Sequence, residues 1–149
     1  MMARVRNVAF VGWRDAPTAT QMREWHRLAH LLAKEHGATS ACIDIVVRGT
    51  PRFTDDVRRS AEELARDAKA FPIGIAHVLL IPGLAGTAVR AFIQTILLVS
   101  RPPNPAKVVG DLASAVGWLG PKLAAHGWTE RELRARCDEM VQLLAEPKQ

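Results

Sequence analysis

The chain has no tyrosine, and tryptophan and phenylalanine together make up only 5% of its residues. No aromatic run is available to stack bases, so a single-stranded nucleic-acid platform is not expected. Basic residues exceed acidic ones, giving a net charge of +5. They alternate with acids along the helical segments, as Glu62 and Arg66 do, and that spacing makes solvated helix faces rather than a nucleic-acid track. Cysteine occurs twice, at Cys42 and Cys137, far apart, with Cys42 in an apolar strand-like run. Two reduced structural thiols in a cytoplasmic protein are the expectation. The opening MMARVRNVAF holds no apolar stretch of secretory length, so export is not expected. The longest apolar stretch, residues 91–100, falls short of the roughly 20 residues that a membrane span requires.

What is present reads as one globular domain. At 149 residues with 48% hydrophobic and 23% charged content, the chain can bury a core without disulfides or metal. Apolar runs at residues 5–13, 39–47 and 73–81 are bounded by turn residues and predict strands, the last covered on both faces. A short run at 106–109 predicts a fourth. Helical patterns lie between them. One starts at Thr18 or Thr20 and stops at Gly37; a second starts at Thr54, with Asp55 and Asp56 behind it, and ends at Phe71-Pro72. A helix from Asp111 is expected to be interrupted at Gly120-Pro121. Thr129 and Glu132 then form a capping box for a last helix, with Trp128 and Leu133 at the staple positions. The pattern predicts an α/β domain at residues 1–121, a sheet of about four strands with helices packed on it, and a C-terminal helical extension at 122–149 on the same domain.

The stretch 81–118 organises this reading. From Thr87 to Ser100, Arg90 and Gln94, joined by Arg101, make one narrow polar stripe, while Val89, Phe92, Ile93, Ile96, Leu97 and Val99 cover the rest of the helix. A surface helix usually needs an apolar face of roughly 100°, so this helix has apolar surface to spare. The last helix is well placed to cover it, and so is a partner.

Candidate chemistry is sparse. His26 and His30 stand i,i+4 on a helix, a spacing that can grip a metal, but no HExxH glutamate follows, and Arg23, Arg27 and Lys34 would repel a cation. No metal site is expected. His77, inside a strand, reads as a satisfied core residue. The turn Gly83-Leu84-Ala85-Gly86-Thr87 lacks the lysine of a phosphate loop and reads as a tight entry to a helix. No nucleophile stands at a recognised spacing from a base, and no cofactor motif is present, so the chain is read as non-enzymatic. A cleft holding two titratable groups within hydrogen-bond reach would reopen that question.

The segments Ala88-Val89-Arg90, Ser100-Arg101-Pro102-Pro103, Lys107-Val108-Val109 and Ala115-Val116-Gly117-Trp118-Leu119, in this order, together with the opening Gly12-Trp13-Arg14-Asp15-Ala16-Pro17-Thr18, resemble the SpoIIAA-like or STAS-like domains of myxobacterial type. The resemblance implies a bacterial regulatory or scaffolding module that binds a protein partner or self-associates, in some relatives switched by phosphorylation at the head of a helix. The matching position here is Thr54, without the Asp-Ser pair of the classical members. The surplus apolar area and an unclaimed tryptophan at a strand end point to a contact surface comprising Trp13, Arg14, Arg52, Thr54 and the helix carrying Arg90, Phe92, Gln94 and Arg101. The alternative is a small-ligand or lipid-binding domain, with its site outside the carboxyl ends of the strands near Trp13, Gly49, Gly83 and Gly110.

Overall fold

The computed structural model describes residues 1–49 and 53–147. Five strands, Met2–Val5 (β1), Val8–Trp13 (β2), Ala41–Val46 (β3), Gly74–Leu79 (β4) and Ala106–Val109 (β5), form one mixed sheet in sequential order. β1 runs antiparallel to β2; β2 to β5 are mutually parallel. The helices are Ala19–His36 (α1), Asp55–Arg66 (α2), Gly83–Ser100 (α3), Leu112–Ala124 (α4) and Glu130–Ala145 (α5).

This order fixes which helix covers which face. Parallel connections cross over right-handed, so strands laid down in the order 2-3-4-5 put α1, α2 and α3 on one side. The other face stays bare until the chain returns. There α4 and α5 bury Leu119, Leu123, Leu133 and Met140 against Phe10, Ile43 and Val78. On the first face Trp25, Leu32, Leu64 and Phe71 meet Ala9, Val11 and Cys42.

This arrangement corrects four expectations. The sheet has a fifth strand, the half-exposed edge β1, which joins β2 through a turn where Arg6 takes a φ of 51°. α5 does not cover α3; it lies across the opposite face, packed on α4 and β2. α3 starts at Gly83, four residues before Thr87. Finally, α4 runs through Gly120-Pro121 without a break. Gly120 has no Cβ to meet the proline ring, which relieves the usual strain on the residue before proline. That Cβ would also lie 2.8 Å from Glu130 Cγ.

The helix starts follow the sequence closely. Thr18, Thr54 and Thr129 are all N-caps, and Thr18 and Thr129 complete capping boxes with Gln21 and Glu132. Trp128 seats the start of α5, donating from Nε1 to Asn7 Oδ1 at 2.9 Å beneath the Arg6 guanidinium. Thr129→Ala removes the hydroxyl that accepts from the Glu132 amide and should cost about 1 kcal/mol in urea unfolding.

Candidate functional site

Two apolar strands each carry one polar residue, and both residues stand fourth in their strand. Asp44 in β3 pairs in register with His77 in β4. Both side chains point to the α1–α3 face, because their odd-even position sets them with Cys42 and Ile75 rather than with Ile43 and Val78. His77 Nδ1 donates to Asp44 Oδ2 at 2.8 Å, and Trp13 Nε1, at the end of β2, donates to Oδ1 at 2.7 Å. Asp44, buried in an apolar layer, thus has both oxygens occupied. Trp25 from α1 sets its ring edgewise to His77 at 6.3 Å and tilted against Trp13 at 6.0 Å. The Trp25 indole N–H, also buried, meets no oxygen or nitrogen acceptor among the described residues and is felt only weakly by the Cys42 thiol.

These groups floor a partly open cavity of about 110 Å³ between the sheet and α1, α2 and α3. Its walls are apolar: Met22 from α1, Ala61 and Leu64 from α2, Val89, Phe92 and Ile96 from α3. Asp15, Arg48 and Gly49, just past the carboxyl ends of β2 and β3, also line it. Open α/β sheets bind ligands at such strand ends. With Nδ1 committed to Asp44, Nε2 is the ring nitrogen left over, and it has no hydrogen-bond partner among the described residues.

An acid–base pair within hydrogen-bond reach is thus present in a cleft. Among the described residues lining the cavity there is no serine, threonine or cysteine. Cys42 lies beneath it, but burial, and then the Asp44 charge, push its thiol well above the ordinary value, so it stays protonated. Burial likewise pushes Cys137 up to about 12. Both cysteines are free and buried.

The residues singled out from the sequence separate into different places. Trp13 is not an unclaimed aromatic at a strand end; it is buried and bonded to Asp44. Arg14 donates to Leu143 O at 2.6 Å and ties the end of β2 to α5. Arg52 lies outside the described residues. Thr54 Oγ1 accepts from the Val57 amide at 3.3 Å as a cap. Phe92 stacks on Phe53 at 3.7 Å and faces the cavity, as does Ile96, so neither centres an outward surface. Arg90 is half-buried beside Gly110, while Gln94 and Arg101 are exposed, Arg101 ending α3 in the left-handed conformation. The outer side of α3 carries Leu84 and Leu98, 89% and 77% exposed. The helix is therefore covered on one side only. By length and composition α3 alone among the described helices is long and apolar enough to cross a membrane.

A second cluster joins α1 to the end of α2. His26 Nε2 and His30 Nε2 both donate to Asp67 Oδ2, at 2.7 and 2.5 Å. Burial alone would raise the Asp67 carboxyl; the hydrogen bonds from His26, His30 and the Lys69 amide outweigh it and lower the pKa from 3.8 to about 2. Because the folded value lies below the unfolded one, this stabilisation is complete above about pH 4 and is lost as pH falls through about 2. Asp67→Asn should therefore flatten the dependence of melting temperature on pH between those limits.

The chain matches no family model, no curated protein and no solved structure.

Proposed function

We propose that this domain binds a small apolar molecule carrying one hydrogen-bonding group, held between the sheet and α1–α3. The observation that carries the reading is the cavity, apolar on its helical walls, with Asp44, His77 and Trp13 meeting at its floor and Asp15 and Arg48 at the strand ends. Ligand sites combine apolar enclosure with a few placed polar groups. A dry cavity of roughly 150 Å³ is known to take benzene, so about 110 Å³ suits a five-membered ring or a short acyl group. Longer chains would require α3 to move outward. His77 Nε2 is the nitrogen such a ligand's hydroxyl would meet.

Cyclopentanol and cyclopentane, the same ring with and without a hydroxyl, test this directly. The indole N–H resonances of Trp13 and Trp25 should shift with both and more strongly with the alcohol. Ala61→Leu, which fills the cavity from α2, should abolish the shifts while leaving the spectrum folded. Unchanged indole resonances at millimolar ligand, or shifts that survive Ala61→Leu, would overturn the reading.

A second reading is favoured by the outer side of α3. Leu98 and Val99 are exposed together near its end, and a STAS-like interaction module would use such a helix face against a protein partner or a second copy. Light scattering during size-exclusion chromatography tests the self-association branch. A strict monomer at high concentration removes it.

A further inference from the structure

The cluster joining α1 and α2 offers more than two hydrogen bonds. His26 and His30 stand one turn apart on α1, so both imidazoles project from the same side and their rings meet edgewise at 4.8 Å. Asp67 reaches them from the C-cap of α2. One ligand atom from each residue, two imidazole nitrogens and a carboxylate oxygen, lies within 4.8 Å of the others. The carboxylate is held in place from behind: its Oδ1 accepts from the Lys69 amide at 2.9 Å, which directs Oδ2 to the histidines. The loop carrying it is fixed in turn by Asn104, whose Nδ2 donates to Ala68 O and Ala70 O at 3.0 and 2.9 Å. A carboxylate oriented in this way by outer hydrogen bonds is the support that metal ligands characteristically receive.

We propose that His26, His30 and Asp67 bind one first-row divalent transition-metal ion, of which Zn²⁺ is the natural candidate. Two imidazoles and one carboxylate are three of the four ligands of an open zinc site, and the fourth position falls on the solvent side, where the His30 side chain is 57% exposed. Zinc–nitrogen and zinc–oxygen bonds of about 2.0–2.2 Å ask the two nitrogens to approach each other and both to withdraw slightly from Oδ2, a movement within side-chain reach. Arg23, Arg27 and Lys34 on the same helix work against any cation held by charge alone. Selectivity therefore favours ions that bond to neutral imidazole, such as zinc, nickel and copper, over magnesium and calcium. An ion here would staple α1 to the end of α2, independently of what the cavity holds.

The test is calorimetric titration of the tag-free full chain with ZnCl₂ and separately with MgCl₂, with thermal unfolding alongside. One equivalent of Zn²⁺ should bind and raise the melting temperature, while Mg²⁺ should do neither. His30→Ala and Asp67→Asn should each weaken zinc binding by at least about tenfold; His30 is exposed enough that its variant should stay folded by circular dichroism. His126→Ala, at an exposed position after α4, should bind as wild type does. No heat with Zn²⁺ at millimolar concentration would overturn the proposal. So would binding that His30→Ala leaves unchanged, which marks adventitious surface coordination.

Discussion

Asp44→Ala is expected to cost about 2–6 kcal/mol in equilibrium urea unfolding, because it leaves two buried donors without their acceptor. The loss has two parts. His77 Nδ1–H and Trp13 Nε1–H both lose their acceptor in a buried layer, and each orphaned donor costs roughly 1–3 kcal/mol. Asp44→Asn should fall between this variant and wild type, since its amide oxygen can keep one donor while its NH₂ group opposes the other. For a domain of this size such a loss is a large share of a total stability of roughly 5–15 kcal/mol. If Asp44→Ala unfolds within about 1 kcal/mol of wild type, the pair is solvated and does not floor a dry cavity.

Gly86→Ala and Gly117→Ala are expected to change stability in opposite directions, although both replace a glycine inside a helix. At Gly86 a Cβ would lie 2.0 Å from Ile81 O and 2.9 Å from Ile81 C. Those are backbone atoms, so no side chain can rotate away, and the entry to α3 must shift as a unit. The cost should reach or exceed about 3 kcal/mol, the upper end for overpacking. Because Val89, Phe92 and Ile96 follow on the same helix, the cavity should deform with it. At Gly117 a Cβ meets nothing within 4 Å. There the substitution should stabilise by about 0.5–1 kcal/mol through helix propensity and lower unfolded-state entropy. Urea midpoints of the two variants, measured side by side, check both.

Much of this architecture is legible in the sequence where local chemistry determines it. Thr18, Thr54 and Thr129 are caps because a hydroxyl at that spacing meets an orphan amide whatever the rest of the fold does. The runs at β2, β3 and β4 are continuous because both faces are covered. β1 is not legible in the same way: four residues, half-exposed, at an edge, give neither alternation nor a full apolar run. The start of α3 is hidden because its N-cap is Pro82, which has no side-chain hydroxyl or carboxylate to announce it. The placement of α5 depends on crossover handedness, a property of the assembled sheet. The candidate sites are the least legible. Asp44 and His77 are 33 residues apart and meet only through strand register. Their equal position in two short strands is the one signal that could have found them. For His26 and His30 the missing partner, Asp67, lies 41 and 37 residues away, just past the end of another helix, so local spacing shows two ligands and the surrounding basic residues, never the third.

The Asp44–His77 rung also bears on how the sheet is assembled. β3 and β4, ACIDIV and GIAHVL, are otherwise rows of apolar side chains of similar bulk, and several offsets between them would bury comparable oily area. Sliding one strand by a single residue turns its polar group into the Phe10–Leu119 layer, where no counterpart waits. Sliding it by two keeps the face but parts the pair by about 7 Å. Only one alignment lets the acid and the imidazole touch. The same two residues that give the cavity its polar floor thereby act as the tally mark by which neighbouring strands find their place.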